Sequence, residues 1–339
     1  MKKINLILAL LLLISGGLLG CGSAEQDAVE QVANEEPTPV DLPKLNVVTS
    51  FFPVYEFAKI IGGELVAVTN LVPTGVEAHH WTPKSQDMTL IAAANLFIYQ
   101  GAGFETWTED VLNGLDTNNM VVIEASQGIE LIAADSDDHG HEHEHAHEDE
   151  HAHEEDATAE DAHDHGAYDP HTWLSPKSAI QMAENIFNGL KQAAPDYAAQ
   201  FEQNYNQLRS DLQALDAQYQ QQLTGLTRTE IVVSHKAFGY LTRDYGLTQL
   251  AMMGISAEAE PTAQDLKKIS QFVKEHQIQY IFTEQLLSDK LARTLADDLG
   301  VQTLLLHTLE GLTQEEMARG ETYISLMEQN LKHLVQALK

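Results

Sequence analysis

Eight short runs of apolar and β-branched residues recur along the chain. LNVVTS at 45–50, VAVTNLV at 66–72, LFIYQ at 96–100 and MVVIEA at 120–125 lie in the first half; EIVVSH at 230–235, LTQLAMM at 247–253, QYIFTE at 279–284 and VQTLLLH at 301–307 lie in the second. Amphipathic stretches separate them. Strands that are apolar on both faces and joined by helical crossovers form parallel sheets covered on both sides. The predicted fold class is α/β: two lobes, each a mainly parallel sheet flanked by helices.

Between the two sets, Pro195 precedes a stripe of Tyr197, Phe201, Tyr205, Leu208, Leu212, Leu215, Tyr219 and Leu223 at spacings of three and four. Such a stripe lines one face of a helix of roughly 40 Å, long enough to lie across both lobes as a linking spine. A coiled coil between two copies is the other use of the same stripe. The charged and Gln positions form no heptad flank, so a monomer is expected. A last helical pattern runs over 313–338. The boundaries that follow are an N-terminal lobe over 45–175, a helical linker over 176–224 and a C-terminal lobe over 225–339.

Ahead of the lobes, Lys2 and Lys3 precede an apolar stretch from Leu6 to Leu19, followed by Gly20 and Cys21. Fourteen residues at about 1.5 Å each do not cross a hydrocarbon core of about 30 Å, so residues 1–20 read as a secretory signal. Cys21 is the sole cysteine, and Leu-Leu-Gly-Cys has the form of a bacterial lipoprotein processing site. Lipidation of Cys21 would anchor an exported protein to a membrane, on a periplasmic or extracellular face, with 21–44 as an acidic tether lacking apolar periodicity.

The net charge of −32, from 51 acidic and 19 basic residues, argues against nucleic acid as a partner and for cations. Part of it is local. From Asp137 to His165 there are thirteen acidic residues, nine histidines and no lysine or arginine. The histidines are His139, His141, His143, His145, His147, His151, His153, His163 and His165, and their alternation with carboxylates offers many weak, interchangeable metal sites. His-Glu-x-x-His occurs twice, at 143–147 and 147–151, but a metalloprotease needs it on an ordered helix with apolar support. No enzyme is expected.

Three further histidines occupy distinct settings: His79 in VPTGVEAHHWTP, His171 in YDPHTWLSP and His235 in IVVSHKAFGYLTRDYGL. Ligands of open α/β sheets bind beyond the carboxyl ends of the strands, which is where His79, His235, Glu284 and His307 fall. His171 stands in a proline-flanked turn that restricts its backbone. Imidazole suits zinc, copper, nickel or iron, whereas calcium and magnesium require oxygen.

These motifs resemble the metal receptors of bacterial ABC importers, specifically the zinc-uptake solute-binding proteins, over roughly residues 45–339. A Pro-Gly-rich turn with His-x-aromatic-x-Pro matches Thr74 to Pro83, Asp-Pro-His-x-Trp-Leu matches 169–174, and Ser-His-x-Ala-Phe-x-Tyr matches 234–240. The resemblance implies Zn2+ as cargo, His79, His171 and His235 as ligands, and an ABC permease with its ATPase as partner. Two departures from the pattern matter. Ala78-His79-His80 replaces the usual Pro-His, so His80 competes with His79. For the fourth ligand, Leu-Glu-Gly-Leu favours Glu310, while register with other relatives favours His307, and water is the third choice; Glu284 and Glu77 fall to supporting or surface roles. Manganese-importing relatives carry a carboxylate in the third motif, which leaves a manganese or iron receptor as the alternative cargo reading. A metal-buffering surface adhesin is the alternative of another class.

Overall fold

The computed structural model describes residues 44–134, 167–257 and 261–339. The signal, most of the tether, Cys21 and the nine histidines of the insertion lie outside them.

In the first lobe, β1 (Leu45–Thr49), β2 (Val66–Asn70), β3 (Leu96–Tyr99) and β4 (Val121–Glu124) form an all-parallel sheet in the order β2-β1-β3-β4. Helices α1 (Phe52–Gly62), α2 (Ser85–Ala92) and α3 (Thr108–Gly114) make the crossovers. The second lobe repeats the arrangement with β5 (Glu230–His235), β6 (Thr248–Met253), β7 (Tyr280–Thr283) and β8 (Gln302–Leu305), ordered β6-β5-β7-β8. Its crossovers are α6 (Gly239–Tyr245), α7 (Ala263–Glu275) and α8 (Lys290–Leu299).

The sequence runs explain the strand order. The strands richest in continuous apolar residues sit in the middle: Val47 and Val48 of β1, Leu96, Phe97 and Ile98 of β3, and Val232, Val233 and Ile281 of β5 and β7 are buried. The flanking β2, β4, β6 and β8 are half exposed. In each sheet the chain leaves the first central strand to one side and returns on the other. This opens a crevice over the carboxyl ends of β1 and β3, and of β5 and β7.

α4 (Pro176–Ala193) covers the first sheet, and α5 (Ala198–Leu223) is the linking helix. The stripe on α5 is spent inside the chain: Phe201, Tyr205, Leu208, Leu212, Leu215, Tyr219 and Leu223 are all buried. Asn204 on α5 donates to the Ile61 carbonyl of α1 at 2.9 Å, and further along Tyr219 Oη donates to the Met327 carbonyl at 2.7 Å. One helix is therefore bonded to both lobes, and its apolar face is not left for a coiled-coil partner.

The C-terminal pattern over 313–338 is not one helix but two, α9 (Gln314–Arg319) and α10 (Tyr323–Leu338). Gly320 adopts a left-handed φ of 72° as it ends α9. Thr313 and Thr322 cap the two starts, accepting from the N–H groups of Glu316 and Ser325. A left-handed glycine followed by a threonine cap outweighs continuous apolar spacing.

Leu212 is fully buried at the middle of α5. Leu212→Ala is expected to lower unfolding free energy by about 2–5 kcal/mol, read by urea denaturation. A loss below about 1 kcal/mol would mean that the stripe does not hold the lobes together.

Candidate metal centre

The segment leaving β2 turns at Pro73–Val76, where the Gly75 N–H crosses to the Leu312 carbonyl of the second lobe at 2.8 Å. Glu77 fixes the next two peptides, its Oε1 accepting from the His79 N–H at 2.8 Å and its Oε2 from the His80 N–H at 3.2 Å. The His79 ring then faces inward, edge-on to Phe104 with centroids 4.9 Å apart. His80 stays at the surface, its Nε2 3.7 Å from Glu77 Oε2.

His171 is held by its own turn. Asp169 Oδ1 accepts from the His171 N–H at 3.0 Å and lies 2.8 Å from the ring Nδ1. Gln100 reaches in from the end of β3 to the Pro170 carbonyl and to Thr172 Oγ1 at 3.1 and 2.6 Å. His235, the last residue of β5, is held in the same manner by Glu284, which follows β7: the carboxylate oxygens lie 2.8 and 2.7 Å from Nδ1, and Oε1 also accepts from the His235 N–H at 3.1 Å. A carboxylate on Nδ1 fixes a proton there and leaves the Nε2 lone pair for a metal, the recurrent support of metal-binding imidazoles.

Glu310 comes from the loop after β8, immediately after Leu309, whose φ of 57° is strained for a leucine. Glu310 Oε1 is buried and has no hydrogen-bond partner among the described residues. It lies 3.6 Å from His79 Nε2, 3.8 Å from His171 Nε2 and 3.6 Å from His235 Nε2. The imidazole Nε2 atoms of His79 and His171 are 3.0 Å apart, those of His235 and His171 3.3 Å. Zinc with bonds of about 2.0–2.1 Å has tetrahedral edges of about 3.3 Å, so three nitrogens and one oxygen already stand near the corners of such a tetrahedron. Among the described residues this is the one group of three or more His, Cys, Asp or Glu side chains with ligand atoms gathered within 4.8 Å.

The electrostatics match the geometry. Burial works against ionising Glu310, but His79, His235 and His171 outweigh it and hold the carboxyl well below the usual range. Burial also opposes charge on His235, yet Glu284 and Glu310 push its pKa up to about 9. His79 rises too, with Glu310 overcoming burial, while His171 falls because burial exceeds the pull of Asp169. Burial and then the Glu310 charge raise Glu77.

His307 does not join the group, contrary to its reading as the alternative fourth ligand facing the cleft. Its backbone is gripped by Asn330, which accepts from the His307 N–H at 2.7 Å and donates to the His307 carbonyl at 2.8 Å. Its Nδ1 accepts from the Leu309 N–H at 2.9 Å, and Nε2 lies 3.3 Å from Glu316 Oε1. The ring braces the Glu310 loop instead of ending in the crevice. Sequence reasoning missed how closely Asp169 and Glu284 hold the two imidazoles. Asp169 stands two residues before His171 in the Asp-Pro-His motif, but nothing in the linear pattern pairs Glu284 with His235.

Residues 47–337 match the family described as "ZnuA: Zinc-uptake complex component A periplasmic". The chain belongs to this zinc-uptake family. It is 37% identical over 337 residues to the zinc-binding lipoprotein AdcA of Streptococcus pneumoniae, spanning 99% of this chain and 61% of the relative. The chain thus spans about three-fifths of the length of that relative. With the high-affinity zinc uptake system protein ZnuA of Bacillus subtilis it shares 38% identity over 295 residues, 87% of this chain and 88% of the other. Among solved structures, the Zn(II)-bound ZnuA-like domain of Streptococcus pneumoniae AdcA superposes with a TM-score of 0.71 at 36% identity, covering 87% of this chain and 99% of that one. The laminin-binding protein Lmb of Streptococcus agalactiae, described as bifunctional with adhesin and metal-transporting activity, superposes with a TM-score of 0.72 at 29% identity, covering 87% of this chain and all of that one.

A pH dependence follows for the metal-free family member. The pKa of His235, about 9 in the folded chain, exceeds the free-histidine value of about 6.5. Its stabilising contribution is therefore complete below about pH 6.5 and disappears as pH rises through 9. His79 shifts in the same direction, and Glu310, being lowered, contributes fully above about pH 4.5. The metal-free protein is expected to lose stability between about pH 7 and pH 9.5 in urea denaturation. Stability that is flat or rising over that range would contradict the assignment.

Proposed function

We propose that the chain is a receptor that captures Zn2+ outside the cytoplasmic membrane and delivers it to an ABC permease with its ATPase. The observation that carries this is the set of four donor atoms: the three Nε2 atoms and the partnerless Glu310 oxygen at tetrahedral spacing. Three imidazoles and one carboxylate suit four-coordinate zinc better than manganese, which favours oxygen. His79, His171, His235 and Glu310 are the proposed ligands, with Asp169 and Glu284 orienting two of the rings. The names of the pneumococcal and Bacillus relatives, a zinc-binding lipoprotein and a zinc uptake protein, support the same cargo.

The division at 45–175, 176–224 and 225–339 belongs to this proposal, as do export by residues 1–20, a lipid anchor on Cys21 and a monomeric state. No helix among the described residues is long and apolar enough to cross a membrane. A role as a surface adhesin is the second reading, favoured by the similarity to the laminin-binding protein. Failure of a deletion strain to grow in zinc-poor medium, with rescue by added zinc, supports transport. Unimpaired growth with loss of surface attachment would favour adhesion.

Titration against a competing chelator tests the site directly. His79→Ala, His171→Ala and His235→Ala are each expected to weaken tight zinc binding by at least a hundredfold. A variant that stays within about twofold of the parent would remove that residue from the ligand set.

The histidine-rich insertion is proposed to collect zinc beside the centre. Its two flanks are tied to each other: Ala133 and Tyr168 form an antiparallel bridge, the Ala134 N–H donates to the Ala167 carbonyl at 3.0 Å, and the Asp169 N–H to the Ile132 carbonyl at 2.8 Å. Excision of 137–165 should therefore leave the His171 turn in place. Calorimetry is expected to show total zinc stoichiometry falling toward one while the tightest affinity changes by less than about tenfold, roughly 1.4 kcal/mol. Loss of the tight site would mean that the insertion supplies a ligand.

A further inference from the structure

The support of His171 extends beyond Asp169 into the opposite lobe. Helix α6 begins four residues after His235, and its first two residues touch the flanks of the insertion and the Asp169 turn. Tyr240 is fully buried. Its hydroxyl accepts from the Ile132 N–H at 3.1 Å and donates to the Asp169 carbonyl at 2.6 Å. One turn later, Arg243 Nη1 donates to the Glu130 carbonyl at 2.9 Å, with the guanidinium 5.0 Å from the Tyr240 ring centre.

Gly239 makes the closer contact. A Cβ built there would stand 2.3 Å from Asp169 Oδ2 and 3.4 Å from Ile132 Cδ1. The other oxygen of that carboxylate already holds both the N–H and the Nδ1 of His171. It has no slack, since moving Oδ2 away from a new methyl group rotates Oδ1 off the imidazole. Gly239 has no left-handed φ, so its backbone does not demand glycine. The missing side chain is explained by the carboxylate facing it.

We propose that Gly239 and Tyr240 are positioning residues: a cradle on the second lobe that sets the Asp169 carboxylate, and through it the His171 ring, from the helix start that follows His235. The inference rests on the reading of His171 as a ligand. It makes the orientation of a first-lobe imidazole conditional on contact with the second lobe. Parting α6 from residues 130–132 and 169 would release His171 without any other ligand moving first.

The variants Gly239→Ala, Tyr240→Phe and Tyr245→Phe separate this from ordinary folding effects. Tyr245 lies on the same helix, but its hydroxyl bonds Asp216 of the linking helix at 2.8 Å, away from the centre. Tight zinc binding by the parent chain, measured first by chelator competition, tests the ligand reading on its own; its absence would sink that reading whatever the variants do. Given a binding parent, Gly239→Ala and Tyr240→Phe are expected to weaken zinc at least tenfold and to change the visible spectrum of the Co2+-loaded protein. Tyr245→Phe should stay within twofold with an unchanged spectrum. Because shifting the Asp169 carboxylate also costs some stability, the loss of affinity in Gly239→Ala is read against the melting temperature of the metal-free protein, and it should exceed the loss shown by a variant of equal melting temperature. The cradle is refuted if Gly239→Ala binds zinc like the parent. It is equally refuted if affinity across the three variants simply follows melting temperature. Should Gly239→Ala fail to fold, the comparison of Tyr240→Phe with Tyr245→Phe decides by the same criteria.

Discussion

Three imidazole lone pairs aimed at one point repel one another unless something positive lies between them, and much of this fold holds them there regardless. The Nε2 atoms of His79, His171 and His235 approach to 3.0 and 3.3 Å along the two pairings through His171. No local helix or strand propensity would bring them together, because they come from the segment after β2, from the turn before α4 and from the end of β5. What opposes the repulsion is a set of buried carboxylates. Asp169 and Glu284 each hold a ring by its far nitrogen and its own peptide N–H, and Glu310 supplies negative charge at the near side. The carboxylates raise the pKa values of both His79 and His235 despite burial, so that without metal protons on these rings take part of the cation's place.

Such a centre is only as fixed as the joint between the lobes that supply it, and several independent contacts cross that joint. Trp173, two residues beyond His171, donates from Nε1 to the Thr308 carbonyl at 2.7 Å and packs edge-on against Phe51 and Phe104. Tyr323 at the start of α10 donates to the Trp173 carbonyl. Its own N–H is accepted by the buried Glu56 of α1 at 2.8 and 3.0 Å, a carboxyl that burial raises to about 7. With α5 bonded to both lobes as well, wide hinge opening would break buried hydrogen bonds in several places at once, each leaving a group unsatisfied at about 1–3 kcal/mol. Small adjustments around the four gathered side chains are the cheaper motion.

The legible part of this design is the part written in local pattern. The strand positions fell within one or two residues of their observed limits, since continuous apolar runs have few alternatives in a parallel sheet. The gathering of His79, His171 and His235 was foreshadowed by their settings, and that of Glu310 by the resemblance of the Leu-Glu-Gly-Leu run, which left His307 open as well. What stayed hidden depends on side-chain direction. His307 sits as near a strand end as Glu310 does, but its Nδ1 turns back to the Leu309 N–H, and spacing along the chain cannot show that. Glu284 meets His235 only because β7 lies beside β5, a pairing fixed by sheet order. The break between α9 and α10 is written in Gly320 and Thr322, inside an apolar periodicity that runs on through both helices.

Attraction and discrimination are then separate properties of the chain. A net charge of −32 draws any divalent cation, and in physiological salt that pull decays over about 8 Å. It raises local concentration without choosing among ions. Choice requires donors that a hard cation does not accept, and neutral imidazole nitrogen is such a donor, since calcium and magnesium would have to trade oxygen ligands for it. Glu310 belongs to both regimes: it adds charge at the centre of three nitrogen donors and leaves one buried oxygen without a hydrogen bond. A carboxylate kept ionised by imidazoles that a metal must deprotonate is matched to an ion able to displace those protons, so proton release and metal choice are coupled at the same nitrogens.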